Sequence, residues 1–263
     1  AEEGDSVTTV LTFNGILTDL QGRTAFQFEK TVPLRSSKEQ FEKLRRRPFA
    51  FMDLFPIAPG EYKLSVLMKN SVSKEFSTLE GTVRFPSAFP AARLSPPLLA
   101  FNAVRQTTAA PGPRPFAVRD FQLYGDPEST FVVQDTLHVY VQVLGLGPEL
   151  KAKGALRFVL EKEGKEVEAK SQPLSGNPDA LNFLEVFPLA KQTPGYYRAG
   201  VVLVDESGKV LDRQGRDFQI AAAASLPRPW INSQSPIVQG GQPAIDHILG
   251  RQRLNLGDPA GAL

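Results

Sequence analysis

Cysteine is absent from this 263-residue sequence, which excludes disulfide bonds, thiolate metal sites and cysteine nucleophiles. Histidine occurs only at His138 and His247, and neither lies in a motif that pairs it with a serine and an acid or builds a zinc site. A GxSxG elbow, a P-loop and a GxGxxG loop are also missing. We therefore predict that the protein is not an enzyme and that it holds no metal and no cofactor.

Excess charge and long apolar runs are lacking as well. The sequence has 30 basic and 28 acidic residues, so its net charge of +2 gives no reason to expect nucleic acid or an anionic membrane as a partner. No apolar run approaches the roughly 20 residues that span a bilayer. What the sequence does contain is 22 Pro, 21 Gly and 18 Phe beside a single Trp, which favours an all-β protein rich in turns.

Apolar and polar residues alternate through residues 6–34, a pattern typical of β-strands. Asn14-Gly15 and the segment 19–22 are predicted turns within this region. Residues 36–47 break the alternation, and Ser36 with Glu39 predicts a short capped helix there. Further strands are expected at 49–55, 60–69 and 76–85.

One phrase occurs twice in the chain. Residues 55–68 read FPIAPGEYKLSVLM and residues 187–204 read FPLAKQTPGYYRAGVVLV. The Phe-Pro pairs lie 132 residues apart and the Pro-Gly pairs 135 apart, so a three-residue insertion accounts for the difference. A self-similar unit at this spacing predicts two domains of one fold in tandem.

In each copy a Pro-Gly turn is followed, two residues after the glycine, by a tyrosine at the start of a strand. The turns are Pro59-Gly60 and Pro194-Gly195, and the tyrosines are Tyr62 and Tyr197. This arrangement indicates the tyrosine corner of Greek-key sandwiches, in which the hydroxyl returns to the nearby backbone. The alternative is a tyrosine that only packs at the start of a strand.

About seven short strands separated by turns are expected between residues 116 and 221, the signature of a β-sandwich. Seven prolines fall within 86–116 and argue against a central strand there, although 98–101 is a candidate edge strand. The predicted fold is thus two tandem Ig-like or fibronectin-III-like Greek-key sandwiches with a short C-terminal helical segment. The predicted domains are 1–86, a Pro-rich linker or edge segment 87–115, 116–221, and a tail 222–263.

Residues 244–263 of the tail are predicted to be helical, with an apolar stripe at helical spacing. Leu249-Gly250, Leu254, Gly257-Asp258 and Ala262 resemble the first helix and turn of a tetratricopeptide repeat. Such a repeat would make the chain part of a longer protein, whereas the alternative is an ordinary C-terminal helix. The stripe needs a cover, which could be the second sandwich, the Trp230 segment, a neighbouring chain or the rest of a repeat.

The segments LFPIAPGEYKLSVLMKN (54–70) and RFPSAFPAARLSPPLLAFN (84–102) carry a family resemblance. They resemble C-terminal regions of bacterial secreted proteins of the GWxTD-domain and von Willebrand-A-related acidobacterial type. The resemblance covers roughly residues 45–220 and implies a sandwich region outside the cytoplasm. The Gly-Trp-x-Thr-Asp motif itself is absent, so no function tied to that motif is carried over.

These observations predict a non-enzymatic structural or protein-binding module, part of a larger extracytoplasmic bacterial protein or assembly. Its partner would be another protein or a further C-terminal region of its own. One alternative is a carbohydrate-binding accessory domain of a secreted enzyme, which would need Trp230, Tyr124 and Tyr196 on one exposed face. Another is a subunit of a filament or large complex, in which an unpaired edge strand accepts a neighbour's extended segment.

A few residues outside the corners are candidate partner contacts. The cluster Arg45-Arg46-Arg47 could bind an acidic partner, or be a solvated helix end whose cations offset the helix dipole. The other candidates are Trp230, Leu249 and Leu254.

Overall fold

A computed structural model describes most of the chain. The described residues are 2–3, 5–44, 48, 50–106, 115–177, 181–226, 228, 230–232 and 241–262, with the backbone alone at 2–3, 43–44 and 230–232. The cluster Arg45, Arg46 and Arg47 lies outside these ranges, as does the side chain of Trp230.

The N-terminal unit is built from long antiparallel strands. Its elements are β1 (Glu2–Glu3), β2 (Ser6–Thr18), β3 (Thr24–Ser37), α1 (Lys38–Leu44), β4 (Ala50–Met52), β5 (Gly60–Asn70) and β6 (Phe76–Phe85). β2 lies between β3 and β5, β6 pairs with the other side of β5, and β1 pairs with the start of β2. Helix α1 begins after Ser37, whose hydroxyl accepts a hydrogen bond from Gln40 N at 3.3 Å, so the cap is one residue later than predicted.

Strand β2 runs straight through Asn14-Gly15, where the sequence predicts a turn. Gly15 lies opposite Phe28 of β3, and a Cβ on Gly15 would come within 2.1 Å of the Phe28 ring. The glycine therefore makes room for a cross-strand aromatic ring rather than for a bend. The real turn is at Asp19–Gly22, where Asp19 Oδ1 accepts from the backbone of Gln21 and Arg23.

One face of this sheet forms a small core. Phe13 of β2 stacks on Phe51 of β4, with ring centroids 4.0 Å apart, and Phe26 of β3 stacks on Phe55 at 4.5 Å. A cluster of buried side chains continues this core: Leu17, Ala25 and Tyr62, with Ile57, Leu64, Val83 and Leu256 packed against them. Among the described residues β1, β2, β3, β5 and β6 form one sheet, and the short β4 belongs to a separate two-stranded pair. The described N-terminal unit is therefore one large sheet covered by a small strand pair, rather than the predicted pair of full sheets.

The second unit contains shorter and more numerous strands. They are β7 (Arg93–Leu94), β8 (Leu98–Arg105), β9 (Ala117–Val118), β10 (Phe121–Gly125), β11 (Thr130–Val132), β12 (Thr136–Leu144), β13 (Ala155–Lys162), β14 (Lys165–Pro173), β15 (Asn182–Pro188), β16 (Gly195–Val204) and β17 (Val210–Ala221). A short helix α2 (Pro148–Lys153) and two 3₁₀ turns, Leu174–Gly176 and Leu189–Lys191, connect them.

These strands form a β-sandwich, which confirms the all-β prediction. In the described residues one sheet has the order β15-β12-β8-β10-β9 with β7 beside β12, and the other has the order β11-β17-β16-β13-β14. Side chains from both sheets fill the core between them, including Leu99, Val141, Phe158, Phe187 and Val201.

The sandwich begins earlier in the chain than the predicted residue 116. β7 and β8 come from the segment 87–115, and β8 lies inside its sheet, between β12 and β10. The expectation that this segment supplies at most an edge strand is therefore wrong. Its prolines flank β8 and none lies within it, so residues 98–105 keep every backbone N–H that a central strand needs.

The tail returns to the N-terminal unit. β18 (Trp230–Asn232) pairs in parallel with β4, and α3 (Gly241–Asn255) packs near β3. The helix begins earlier than predicted and ends before residue 263. It ends in a Schellman motif, in which Gly257 N–H donates to Leu254 O and Asp258 N–H donates to Arg253 O. Gly257 has φ +80°, a conformation that favours glycine at this stop.

Candidate interaction surface

The two repeated phrases build the same local structure. Tyr62 and Tyr197 are both buried at the start of a strand. The Tyr62 hydroxyl donates to Ala58 O and the Tyr197 hydroxyl donates to Thr193 O, each at 2.8 Å. Each tyrosine thus bonds the carbonyl four residues before it, which is the geometry of a tyrosine corner.

The glycines before the tyrosines serve different purposes. A Cβ on Gly60 would lie 2.7 Å from the Tyr62 hydroxyl oxygen, so any larger residue there displaces the corner. Gly195 instead has φ +147°, which side chains rarely adopt. Pro59 and Pro194 precede these glycines and cannot donate a backbone hydrogen bond. The corners belong to the scaffold, since each bonds its own loop.

Replacing either corner tyrosine by phenylalanine should lower the free energy of unfolding by about 1 kcal/mol, because one net hydrogen bond is lost. Burial raises the pKa of Tyr62 above its ordinary value of 10.0, and the charge of Asp19 adds to the rise. The stability that Tyr62 contributes is therefore present below pH 10 and is lost as the pH rises through the folded pKa. Urea unfolding at neutral and alkaline pH should show a smaller alkaline loss in Tyr62→Phe than in the unmodified chain. An equal loss in both would contradict this assignment.

The histidines and the aspartates near the 205–217 hairpin lie in separate parts of the described structure. His138 lies within β12, its Nδ1 is 3.1 Å from Thr136 O, and burial lowers its pKa. His247 lies on α3. Asp205 accepts hydrogen bonds within its own turn, while Asp217 pairs with Arg198. Among the described side chains, no three His, Cys, Asp or Glu residues group as a metal site.

Arg228 anchors the tail to the sandwich. Its guanidinium donates to Asp126 Oδ2 at 3.0 Å, to Asp135 Oδ2 at 2.6 Å and to the carbonyl of Thr130 at 2.9 Å. The same group lies over the ring of Phe101, 4.5 Å from the centroid. Its side chain is only 9% exposed, so this is a buried ion-pair network that fixes the point where the chain leaves the second unit.

Gln252 anchors the other end of the tail to the N-terminal unit. Its Nε2 donates to Pro56 O at 2.9 Å, and its Oε1 accepts from Ala58 N at 2.7 Å. The glutamine is 2% exposed, whereas Leu249 is half-buried and Leu254 is 56% exposed. The N-terminal unit therefore covers α3, which the sequence analysis did not expect. Gln252 makes the buried hydrogen bonds of this contact.

The aromatic residues considered for a sugar site do not share a face. Tyr196 is exposed on β16, while Tyr124 is half-buried on β10 of the opposite sheet. A sugar platform needs stacking rings side by side, so this pair of side chains does not form one.

Among the strands whose side chains the structure describes, β6 is the most exposed. Nine of its ten residues are exposed, including Phe76 at 72% and Leu79 at 63%. Its outer edge is unpaired in the described part of the chain, because its ladder runs to β5 alone. An open cavity of about 520 Å³ lies on the sheet beside it. Its lining includes Ile16, Leu67 and Glu80. Exposed apolar groups along an open edge are typical of a docking site.

Two other edge strands carry the features that block pairing. β3 has Pro33 near its middle, and β14 carries four charged residues at Lys165, Glu166, Glu168 and Lys170. Prolines and inward or closely spaced charges are the usual protection of an edge. β6 has no proline, and its charged residues are Glu80 and Arg84. The open edge of β6 therefore lacks the proline and the dense charges that block strand pairing at β3 and β14.

No protein-family model and no curated protein matches this chain. Two solved structures are similar at low scores. One is red sea bream transglutaminase, with 9% identity over 84% of this chain and 28% of that chain and a TM-score of 0.27. The other comprises the fibronectin(III)-like modules of Clostridium thermocellum CbhA, with 10% identity, 84% and 81% coverage and a TM-score of 0.22.

Sequence reasoning missed Arg228, Gln252 and the β6 edge. The signal for Arg228 was a single arginine between two prolines in a segment with few other charges. Gln252 lies four residues before Leu256, the residue that follows the end of α3, so it lies on the side of the helix that an apolar core residue continues. No helix in the described residues combines the length and apolar character that a membrane crossing requires.

Proposed function

We propose that this chain is a non-enzymatic β-sandwich module that binds another protein through β6. The observation that carries the proposal is the open edge of β6 with Phe76 and Leu79 exposed on it. An extended segment added to such an edge gains main-chain hydrogen bonds and contacts with alternate side chains. The second unit supplies the Ig-like or fibronectin-III-like scaffold, supported by its two packed sheets and its tyrosine corner.

The setting of this module is part of the proposal. The resemblance of residues 45–220 to secreted bacterial proteins supports a place outside the cytoplasm in a larger protein. The tetratricopeptide-like pattern of residues 249–262 supports a continuation into further helices. The tail is held by Arg228 and Gln252, so a continuation would start from a fixed position beside the N-terminal unit.

Site-specific photo-crosslinking in the native host tests the function. Phe76→p-benzoylphenylalanine places a reactive benzophenone on β6, and the larger side chain can extend into solvent because Phe76 is exposed. Tyr196→p-benzoylphenylalanine is the matched control, because Tyr196 is an aromatic residue of similar exposure, 77% against 72%, on β16 of the other unit. We expect a discrete protein adduct from position 76 alone, with the partner peptide identified by mass spectrometry. No adduct at 76, or equal adducts at both positions, would contradict the proposal.

A further inference from the structure

We propose that the partner of β6 is β6 of a second copy of this chain, paired antiparallel with Thr82 opposite Thr82. This inference rests on the proposed function, because it names the occupant of the same edge. In that register residue i faces residue 164 − i, so that Glu80 faces Arg84 and Leu79 faces Phe85 in both directions. The two N-terminal sheets then join into one continuous sheet across a two-fold axis.

The backbone of β6 has its free groups in the positions that this register needs. At the β5–β6 hairpin Asn70 N–H donates to Glu75 O at 2.8 Å. Hydrogen-bonded pairs alternate along an antiparallel ladder, so the odd-numbered residues of β6 bond inward to β5. The N–H and C=O groups of Thr78, Glu80, Thr82 and Arg84 consequently face outward. Pairing about Thr82 joins the outward groups of Glu80, Thr82 and Arg84 to one another, while Thr78 faces Pro86 beyond the end of β6.

The charges on β6 complement their own copies. Glu80 and Arg84 are exposed, and neither has an ion-pair partner among the described residues. Placed directly opposite, each glutamate lies beside the arginine of the other strand, and opposite charges in such pairs stabilise a sheet. Centring the pairing on Glu80 instead would set the two glutamates against each other. The charges therefore select the Thr82 register over that alternative.

The apolar side chains agree with the same register. Leu79 and Phe85 lie on the face of the sheet that carries Tyr62 and Val83, and both are exposed in the single chain. Pairing about Thr82 brings Leu79 of one copy against Phe85 of the other. Gly81 lies opposite Val83 and leaves space between these contacts. The pairing therefore covers apolar surface that the described part of the chain leaves open.

Charge reversal tests the pairing directly. Sedimentation of the full 263-residue chain over increasing concentration should show a shift from 28.8 kDa to twice that mass. Glu80→Arg alone and Arg84→Glu alone should each abolish the shift, because like charges then face each other. An equimolar mixture of the two single variants should restore it, since every glutamate again faces an arginine. The double variant E80R/R84E should behave as the unmodified chain.

Glu29→Arg is the matched control, because it makes the same charge reversal on the exposed edge strand β3 of the same sheet. It should leave the dimer intact, and circular dichroism should show that every variant folds. A chain that stays monomeric at all concentrations, or a mixture that fails to associate, overturns the self-pairing. An adduct from position 76 to a different protein would also overturn it while leaving the proposed protein-binding function in place. No adduct at all would remove the function itself.

Discussion

Replacing Arg228 by methionine should lower the free energy of unfolding by about 3 kcal/mol, because it leaves two carboxylates without their cation. Asp126 is buried, and Asp135 is only 15% exposed at its side chain. The guanidinium also lies over the rings of Phe101 and Phe131, so the loss includes these cation–π contacts together with the ion pairs. Urea unfolding followed by circular dichroism at neutral pH provides the measurement.

Arg198→Met is the control for this loss. Arg198 also bonds an aspartate, since its Nη1 lies 2.7 Å from Asp217 Oδ1, but both side chains are exposed. Exposed pairs contribute about 0–1 kcal/mol, so this variant should unfold close to the unmodified chain. Arg228→Lys should fall between the two, because it keeps the charge and loses the forked geometry that reaches both aspartates. Equal losses at positions 228 and 198 would show that the buried network contributes nothing beyond a surface pair.

The parts of the fold that sequence could predict are those whose partners are close in the chain. Tyr62 and Tyr197 bond carbonyls four residues away, so a phrase of a few residues contains the whole corner. The turn between β13 and β14 is likewise local, since Glu163 and Gly164 both have positive φ. Such features are determined by residues that are adjacent in the sequence, so a short sequence pattern is enough to predict them.

Local sequence patterns give a wrong prediction where residues far away in the sequence determine the conformation. Asn14-Gly15 has the composition of a turn, yet the ring of Phe28 on the neighbouring strand occupies the space above Gly15. The prolines around β8 suggest a linker, yet they only bound a strand that enters the middle of a sheet. In both cases tertiary packing overrides the local preference.

The contacts of the tail are the clearest case of structure that the sequence pattern could not predict. Arg228 bonds residues 93 and 102 positions away, and Gln252 bonds residues 194 and 196 positions away. Periodicity selected Leu249 and Leu254 as the residues of α3 that need a cover, while the buried contact is a polar side chain between them. A hydrophobic pattern does not reveal that two backbone groups of a distant loop require an amide.

Gln252→Leu should release α3 from the N-terminal unit. The amide satisfies Pro56 O and Ala58 N together, and leucine satisfies neither. A buried backbone group without a partner costs about 1–3 kcal/mol, so the docked state should lose about 2 kcal/mol or more. Water can relieve this cost only if the helix moves away, so the loss in global stability is limited to the free energy of docking. Hydrogen exchange is therefore the sharper measurement.

The amide of Ala58 and the amides of α3 should exchange faster in Gln252→Leu, while those of β12 and β16 in the sandwich core should keep their rates. Gln242→Leu makes the same change at an exposed position of the same helix, and it should leave all of these rates unchanged. Gln252→Glu divides the two bonds: its carboxylate still accepts from Ala58 N–H but repels Pro56 O, so α3 should loosen although one contact is kept. If the helix exchanges no faster in Gln252→Leu than in Gln242→Leu, Leu256 and the rest of the helix face hold it in place without the glutamine. If only the Ala58 amide accelerates, the glutamine satisfies the loop and contributes little to docking of the helix.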